Sequence, residues 1–337
     1  IGPTGEAFVT VSSSEPDEVW VQVDVSIRDR ATISAGRLIS FEAGSAAGLT
    51  VVLPPGLTET TAGEPISLKL NLVDEDGNQV SGQSATVALA EGCGGGGWTG
   101  HVTFVDQITT IVTPLRACDA NTIRAFGVVA GGSVSGQSPE FRVQAGEVSG
   151  LEIIASPDVV QAGMEDVTFF IDGVDEWGNP TMTSLGGLTL SDEFGVLSES
   201  NGNGTFLCDT VFAGTAQCEA RLYRAAEARV VQVESDAGFR GDAPPIQVTP
   251  GPGSRVSVEV GETEVTAGES FLVTVAVEDT FGNLIFLGSD DIDAMVFTDS
   301  SGPIGCAYSA GHTLSRLYEF DCTATKAIES NEVHVQV

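Results

Sequence analysis

The chain has 337 residues, a hydrophobic fraction of 42% and a formal net charge of −33 at pH 7. A chain of this length holds about two to four domains, and this apolar content excludes a disordered chain. The charge, with lysine only at Lys69 and Lys326, repels nucleic acid and anionic lipid and suits cations, basic partners or a salty medium. No apolar run reaches the roughly 18 residues of a membrane span, so no membrane insertion is expected of this segment. The first residue is Ile1, and the chain reads as an internal piece of something longer.

Residues 1–44 begin an alternating run at "DEVWVQVDV" (Asp17 to Val25) and close with "GRLISFEAG" (Gly36 to Gly44). They read as the back part of a β module whose leading strands are missing. Residues 45–145 form the first full module. Here Ile66, Leu68, Leu70 and Leu72 alternate with residues such as Ser67, Lys69 and Asn71, the period of a strand with one buried face. Gly63 precedes this strand, where glycine fits a bulge or tight bend, and "DEDGN" (Asp74 to Asn78) follows it. Residues 146–250 repeat the order: Gly163, then Val167, Phe169, Ile171 and Gly173, then "DEWGN" (Asp175 to Asn179). Within this module "EARLYRAAEARV" (Glu219 to Val230) is expected as strand. Residues 251–337 repeat it again: Gly268, then Phe271, Val273, Val275 and Val277, then "DTFGN" (Asp279 to Asn283). The three turn asparagines stand 101 and 104 residues apart. The last module stops where the second continues through "ESDAGFRGDAPPIQVTP" to one more strand, so it is expected to lack its last strand.

Periods near 100 residues, short alternating strands and frequent turns give an all-β fold of β-sandwiches in tandem. Asp-x-x-Gly-Asn is then a hairpin turn, because Gly and Asn accept positive φ and Asp caps its own turn through its carboxylate. The competing reading is calcium, with Asp74, Asp76 and Asn78 as ligands of an oxygen loop. Against it, the expected downstream glutamate is missing, and Trp177 and Phe281 replace Asp76 in the later copies. The expectation is therefore no cofactor, with calcium at those three residues as the alternative.

Cysteines at Cys93, Cys118, Cys208, Cys218, Cys306 and Cys322 fall into three close pairs without the CxxC spacing of zinc sites. Three local disulfides and an oxidising, extracellular or cell-surface location follow. Loops of that size contribute roughly 3 kcal/mol each in the chain-entropy model. The second cysteine of each pair lies 40, 39 and 39 residues past the turn asparagine, which suggests one fixed strand stapled to a variable neighbour.

Ala-Gly, the alternating strand and Asp-x-x-Gly-Asn, in phase over residues 45–337, resemble the bacterial immunoglobulin-like repeats of invasin and intimin type surface proteins. The resemblance implies immunoglobulin-like sandwiches in a rod that displays or spaces something on a cell surface. A cysteine pair in every copy departs from many such repeats, and no lectin-like tip is recognisable.

Few other residues suggest chemistry. His101, His312 and His334 have no repeated partner and no HExxH motif. "SDDID" (Ser289 to Asp293) reads as a solvated loop. Gly92, Gly94 and Gly97 match G-x-G-x-x-G without a βαβ unit around them, so a flexible loop beside a disulfide is expected, with Trp98 packed over it. Asn203 opens the glycosylation sequon Asn-Gly-Thr. Arg240, Gly241 and Asp242 spell an integrin-type Arg-Gly-Asp between two predicted strands, a position similar to the loop used by fibronectin-like modules. The resulting expectation is a non-catalytic structural or adhesive segment, such as an adhesin stalk, spacer or fibre component. Its partners would be a protein, a surface glycan, or copies of itself joined through incomplete terminal modules. The alternatives are accessory modules of a large secreted enzyme, or a self-assembling surface-layer or filament subunit.

Overall fold

A computed structural model describes residues 8–26, 32–93, 101–198, 200, 202–262, 264–300, 302–312, 316–326 and 332–337, with the side chains of 209–212 and 310–312 left undescribed. The chain divides into two compact units, Ile1–Gly146 and Glu147–Val337.

The first unit opens with an antiparallel hairpin, β1 (Glu18–Ser26) and β2 (Thr32–Ser40), in which Trp20 faces Leu38 and Val25 faces Ile33. A sandwich follows. Its strands are β3 (Gly48–Val52), β4 (Glu59–Thr61), β5 (Ile66–Val73), β6 (Ser84–Glu91), β7 (His101–Val105), β8 (Gln107–Val112), β9 (Cys118–Asn121), β10 (Ile123–Val129), β11 (Gly132–Gln137) and β12 (Phe141–Gln144). They pair as sheets β3-β5-β8, β11-β10-β6-β7 and β4-β12-β9. The alternating face of β5 lies inward: Ile66, Leu68, Leu70 and Leu72 are buried against Val87, Phe104, Ile123 and Val134 from the facing sheet. Two layers closing on one core from alternate residues of each strand is the immunoglobulin-like plan.

The second unit repeats the plan twice. Its first sandwich has β13 (Gly150–Ser156), β14 (Val159–Gln161), β15 (Asp166–Val174), β16 (Leu188–Asp192), β17 (Gly195–Val196), β18 (Gly204–Phe212), β19 (Thr215–Leu222), β20 (Ala226–Arg229), β21 (Gln232–Ser235), β22 (Arg240–Asp242) and β23 (Ile246–Thr249). The sheets are β13-β15-β19-β18, β17-β16-β21-β22 and β14-β23-β20. Val167, Phe169 and Ile171 of β15 anchor this core, all fully buried. The next sandwich has β24 (Arg255–Val260), β25 (Ser270–Glu278), α1 (Ser289–Asp293), β26 (Val296–Asp299), β27 (Gly302–Pro303), β28 (Gly305–His312), β29 (Leu317–Thr323) and β30 (His334–Gln336). Its sheets are β24-β25-β29-β28 and β27-β26-β30, around Val273, Val275, Phe297 and Phe320. Among the described residues it has no counterpart of the sheet β14-β23-β20.

Two local expectations are corrected. Glu219–Val230 is strand in two pieces rather than one: β19 ends at Leu222, and Tyr223, Arg224 and Ala225 break away before β20. "SDDID" is not a loop but one exposed helical turn, α1, whose Asp291 carboxylate accepts the Gly288 N–H at 3.0 Å.

Candidate functional site

The three Asp-x-x-Gly-Asn turns share one geometry. The first Asp N–H donates to the Asn carbonyl at 3.0 Å in each copy, and the Gly N–H returns to the Asp carbonyl at 3.1, 3.1 and 3.2 Å. The glycines sit at φ +87° (Gly77), +79° (Gly178) and +78° (Gly282), a conformation costly to any residue with a Cβ. Each Asp carboxylate then caps the turn from inside. Asp74 accepts the N–H groups of Asp76 (3.1 Å) and Asn78 (2.9 Å). Asp175 accepts those of Trp177 (2.9 Å) and Asn179 (2.8 Å). Asp279 accepts those of Phe281 (2.8 Å) and Asn283 (2.9 Å). The side-chain amide of the Asn donates to the same carboxylate in every copy.

The turn also holds the chain that enters the sandwich. Asp74 Oδ2 accepts the Gly44 N–H at 2.9 Å, and Asp279 Oδ2 accepts the Gly251 N–H at 2.8 Å. The Gly44 N–H, followed by the other donors, holds the Asp74 carboxyl below the usual range. For Asp279, burial pushes the pKa up, but the Asn283 amide and the N–H groups of Asn283, Gly251 and Phe281 outweigh it, and the net shift is downward.

In the second unit the turn goes further and grips the preceding sandwich. Asn283 donates through Nδ2 to the Tyr223 carbonyl at 2.7 Å and accepts the Ala225 N–H at 2.8 Å. Phe281, the middle residue of the turn, stacks on Tyr223 with ring centroids 4.5 Å apart and planes within 10°. A Cβ at Gly163 would collide with the Phe281 ring, so this glycine is needed for contact as well as for its φ of +70°. Arg224 Nη1 donates to the Phe281 carbonyl at 3.3 Å. The break between β19 and β20 is thus the seat of the next sandwich's turn. In the first unit, Asn78 Nδ2 likewise donates to the Ser14 carbonyl at 2.7 Å.

The calcium candidates fall at this first-unit turn. Asp74, Asp76 and Asn78 line a cleft of about 490 Å³ together with Glu15, Glu42 and Glu75. Asp74 uses its oxygens on N–H donors, and among the described residues no group of three or more acidic, His or Cys side chains is placed to hold a metal ion.

All six cysteines are paired, as Cys93–Cys118, Cys208–Cys218 and Cys306–Cys322. The inference of one fixed, stapled strand is overturned. Cys218 and Cys322 lie in the equivalent strands β19 and β29, directly opposite Cys208 and Cys306 on the adjoining strand. Cys118 begins β9, in another sheet, and meets Cys93 just beyond β6. Among the described residues the first sandwich has no strand paired like β18 or β28, and its chain reaches the strand paired to β5 sooner and leaves the cysteine past it.

The remaining candidates separate. Asn203 is buried, with Nδ2 donating to Asp192 Oδ1 and the Gly195 carbonyl, both at 2.9 Å; a glycan on that nitrogen is incompatible with this fold. Arg-Gly-Asp is strand β22, not a loop. Arg240 pairs with Glu234 at 2.8 Å, and a Cβ on Gly241 would meet the Leu151 backbone. His101 and His334 are exposed, and the His312 side chain is not described. Gly94, Gly97 and Trp98 lie outside the described residues.

One buried polar group escaped the sequence reading. Arg229 is fully buried and donates to Asp192, to Asn203 Oδ1 (2.5 Å) and carbonyl (3.1 Å), and to the Arg224 carbonyl (3.0 Å). Burial pulls its guanidinium below its ordinary pKa, and Asp192 opposes that shift. The only sequence signal was an arginine on the inward face of an alternating run.

No family model and no curated protein matches this chain. Among solved structures it is similar to FdeC, an Escherichia coli adhesin, at 19% identity over 88% of this chain and 95% of that one, TM-score 0.35. It is also similar to the bacterial integrin-binding protein invasin (14%, 85% of this chain and 56% of that one, 0.35) and to InvD of Yersinia pseudotuberculosis (15%, 86% and 83%, 0.28).

Proposed function

We propose that this chain is a non-catalytic extracellular structural segment, an adhesin stalk or spacer, in which the Asp279–Asn283 turn fixes the last sandwich to the one before it. The observation that carries this reading is the grip of Phe281 and Asn283 on Tyr223 and Ala225, added to the hold of Asp279 on Gly251. A turn needed only to reverse the chain would not require an aromatic at its middle position or an Asn that bonds a neighbouring body. Three disulfides among six cysteines support an oxidising compartment, and the acidic surface keeps parallel copies apart.

Residual dipolar couplings on the full chain test it. One alignment tensor should describe both sandwiches of the second unit, and Phe281→Ala with Asn283→Ala should separate it into two while each sandwich stays folded. Two independent tensors in the unmodified protein would remove the reading.

A further inference from the structure

Beside the clamp lies a cleft of about 440 Å³ bordered by Phe194 and Glu227 on one sandwich and Leu284 and Arg316 on the next, with Arg224 between them. That size suits a small ligand. In a chain with 14 basic and 47 acidic residues, two arginines against one glutamate make this cleft locally positive. Both guanidiniums are already tethered. Arg224 Nη1 donates to the Phe281 carbonyl at 3.3 Å and Arg316 Nη1 to the Leu284 carbonyl at 2.5 Å. A guanidinium anchored by one nitrogen keeps its other N–H donors oriented for an incoming oxyanion, and less side-chain entropy is lost on binding. Phe194, a residue 46% exposed, carries the Arg229 guanidinium 5.4 Å from its ring centroid and lines the cleft.

We propose that this cleft binds the carboxylated end of a saccharide, with Arg224 and Arg316 on the carboxylate and Phe194 against the apolar edge of the sugar ring. The charge distribution selects the ligand. Potentials are screened over about 8 Å at physiological salt, so one carboxylate inside the cleft meets the arginines, whereas a densely charged polyanion would extend over the acidic surface and be repelled. A sugar also fits the pairing of a fork-shaped cation with a partly exposed aromatic ring better than a bare inorganic anion does. The inference goes beyond the structural role proposed above, and it can fail while the clamp stands, since ligand binding and module alignment are read separately.

Saturation-transfer NMR and calorimetry on the full chain test it with sialyllactose, neutral lactose and an N-acetylated tetrapeptide with a free C-terminal carboxylate. Sialyllactose should bind, and lactose should not. Arg316→Gln should weaken binding about tenfold or more, as expected for loss of a charge-assisted hydrogen bond, and Arg316→Lys should restore part of it. Phe194→Ala, on the other sandwich, should weaken binding with Arg316 intact, which covers the case in which Arg316→Gln disturbs the fold. Equal binding of lactose, equal or tighter binding of the peptide, no binding of sialyllactose at millimolar concentration, or full binding by the Arg224→Gln/Arg316→Gln variant would each overturn the proposal.

Discussion

The first sandwich of each unit joins its layers at the same place by different chemistry. In the first unit, Glu91 at the end of β6 accepts the side-chain amide of Asn121 at the end of β9 at 3.0 Å, and the disulfide Cys93–Cys118 lies beside that pair. In the second unit the corresponding strand ends carry Asp192 on β16 and Arg229 on β20, joined as a fully buried ion pair, and the disulfide has moved into the β18–β19 hairpin. The first unit thus carries a carboxyl–amide hydrogen bond beside a covalent link, and the second a buried charge pair whose hydrogen bonding Asn203 completes. The difference also explains the burial of Asn203: a buried guanidinium needs acceptors, and a single carboxylate does not satisfy it.

The largest expected effect breaks this comparison on the ionic side. Asp192→Asn leaves Arg229 buried without its counter-charge and should cost the second unit about 3–5 kcal/mol, measured by denaturant unfolding followed through that unit, with the first unit unchanged. Next, the covalent side can be opened. Removing Cys93–Cys118, which closes 25 residues, should cost about 3.5 kcal/mol in the chain-entropy model. Removing Cys208–Cys218, which closes 10 residues, should cost about 2.7 kcal/mol, and equal or reversed losses would contradict the loop-length account of the two links.

A smaller effect comes from acid. Asp74 and Asp279 both have folded pKa values below their ordinary ones. Their stabilisation is complete above the unfolded value of about 3.9 and is lost as pH falls through the folded value. Hydrogen exchange at the amides of Asn78 and Asn283 should accelerate only below about pH 4, and exchange that already rises at pH 6 would contradict the capping role. The smallest effect is Glu91→Gln. Burial pushes the Glu91 carboxyl up, against the pull of the Asn121 amide, the Arg116 and Leu115 N–H groups and the Arg116 charge. Exchange for an amide that keeps an acceptor oxygen for Asn121 should change first-unit stability by less than about 1 kcal/mol, in contrast to Asp192→Asn.

Much of the fold was legible because period two states which side of a strand is buried. Ile66 to Leu72, Val167 to Ile171 and Phe271 to Val277 all face cores. The turn was legible because its conformation demands Gly and Asn. The candidate site was legible only in part: the turn was visible, but not its hold on Tyr223, because nothing local distinguishes an Asn that caps its own loop from one that also reaches 60 residues away. Equal cysteine spacing misled for a related reason. A hairpin with no counterpart among the described residues of the first sandwich shifted the chain relative to the layers while leaving the residue count nearly unchanged.

The sequence by itself determined the strands, their inward faces and the reversals between them, since each depends on residues within one or two turns of the chain. Tertiary structure alone decided which strand Cys118 occupies, that Arg229 finds Asp192 and Asn203, and that Phe281 seats on Tyr223. Those pairings join residues dozens of positions apart, where loop lengths rather than local preference set the meeting point.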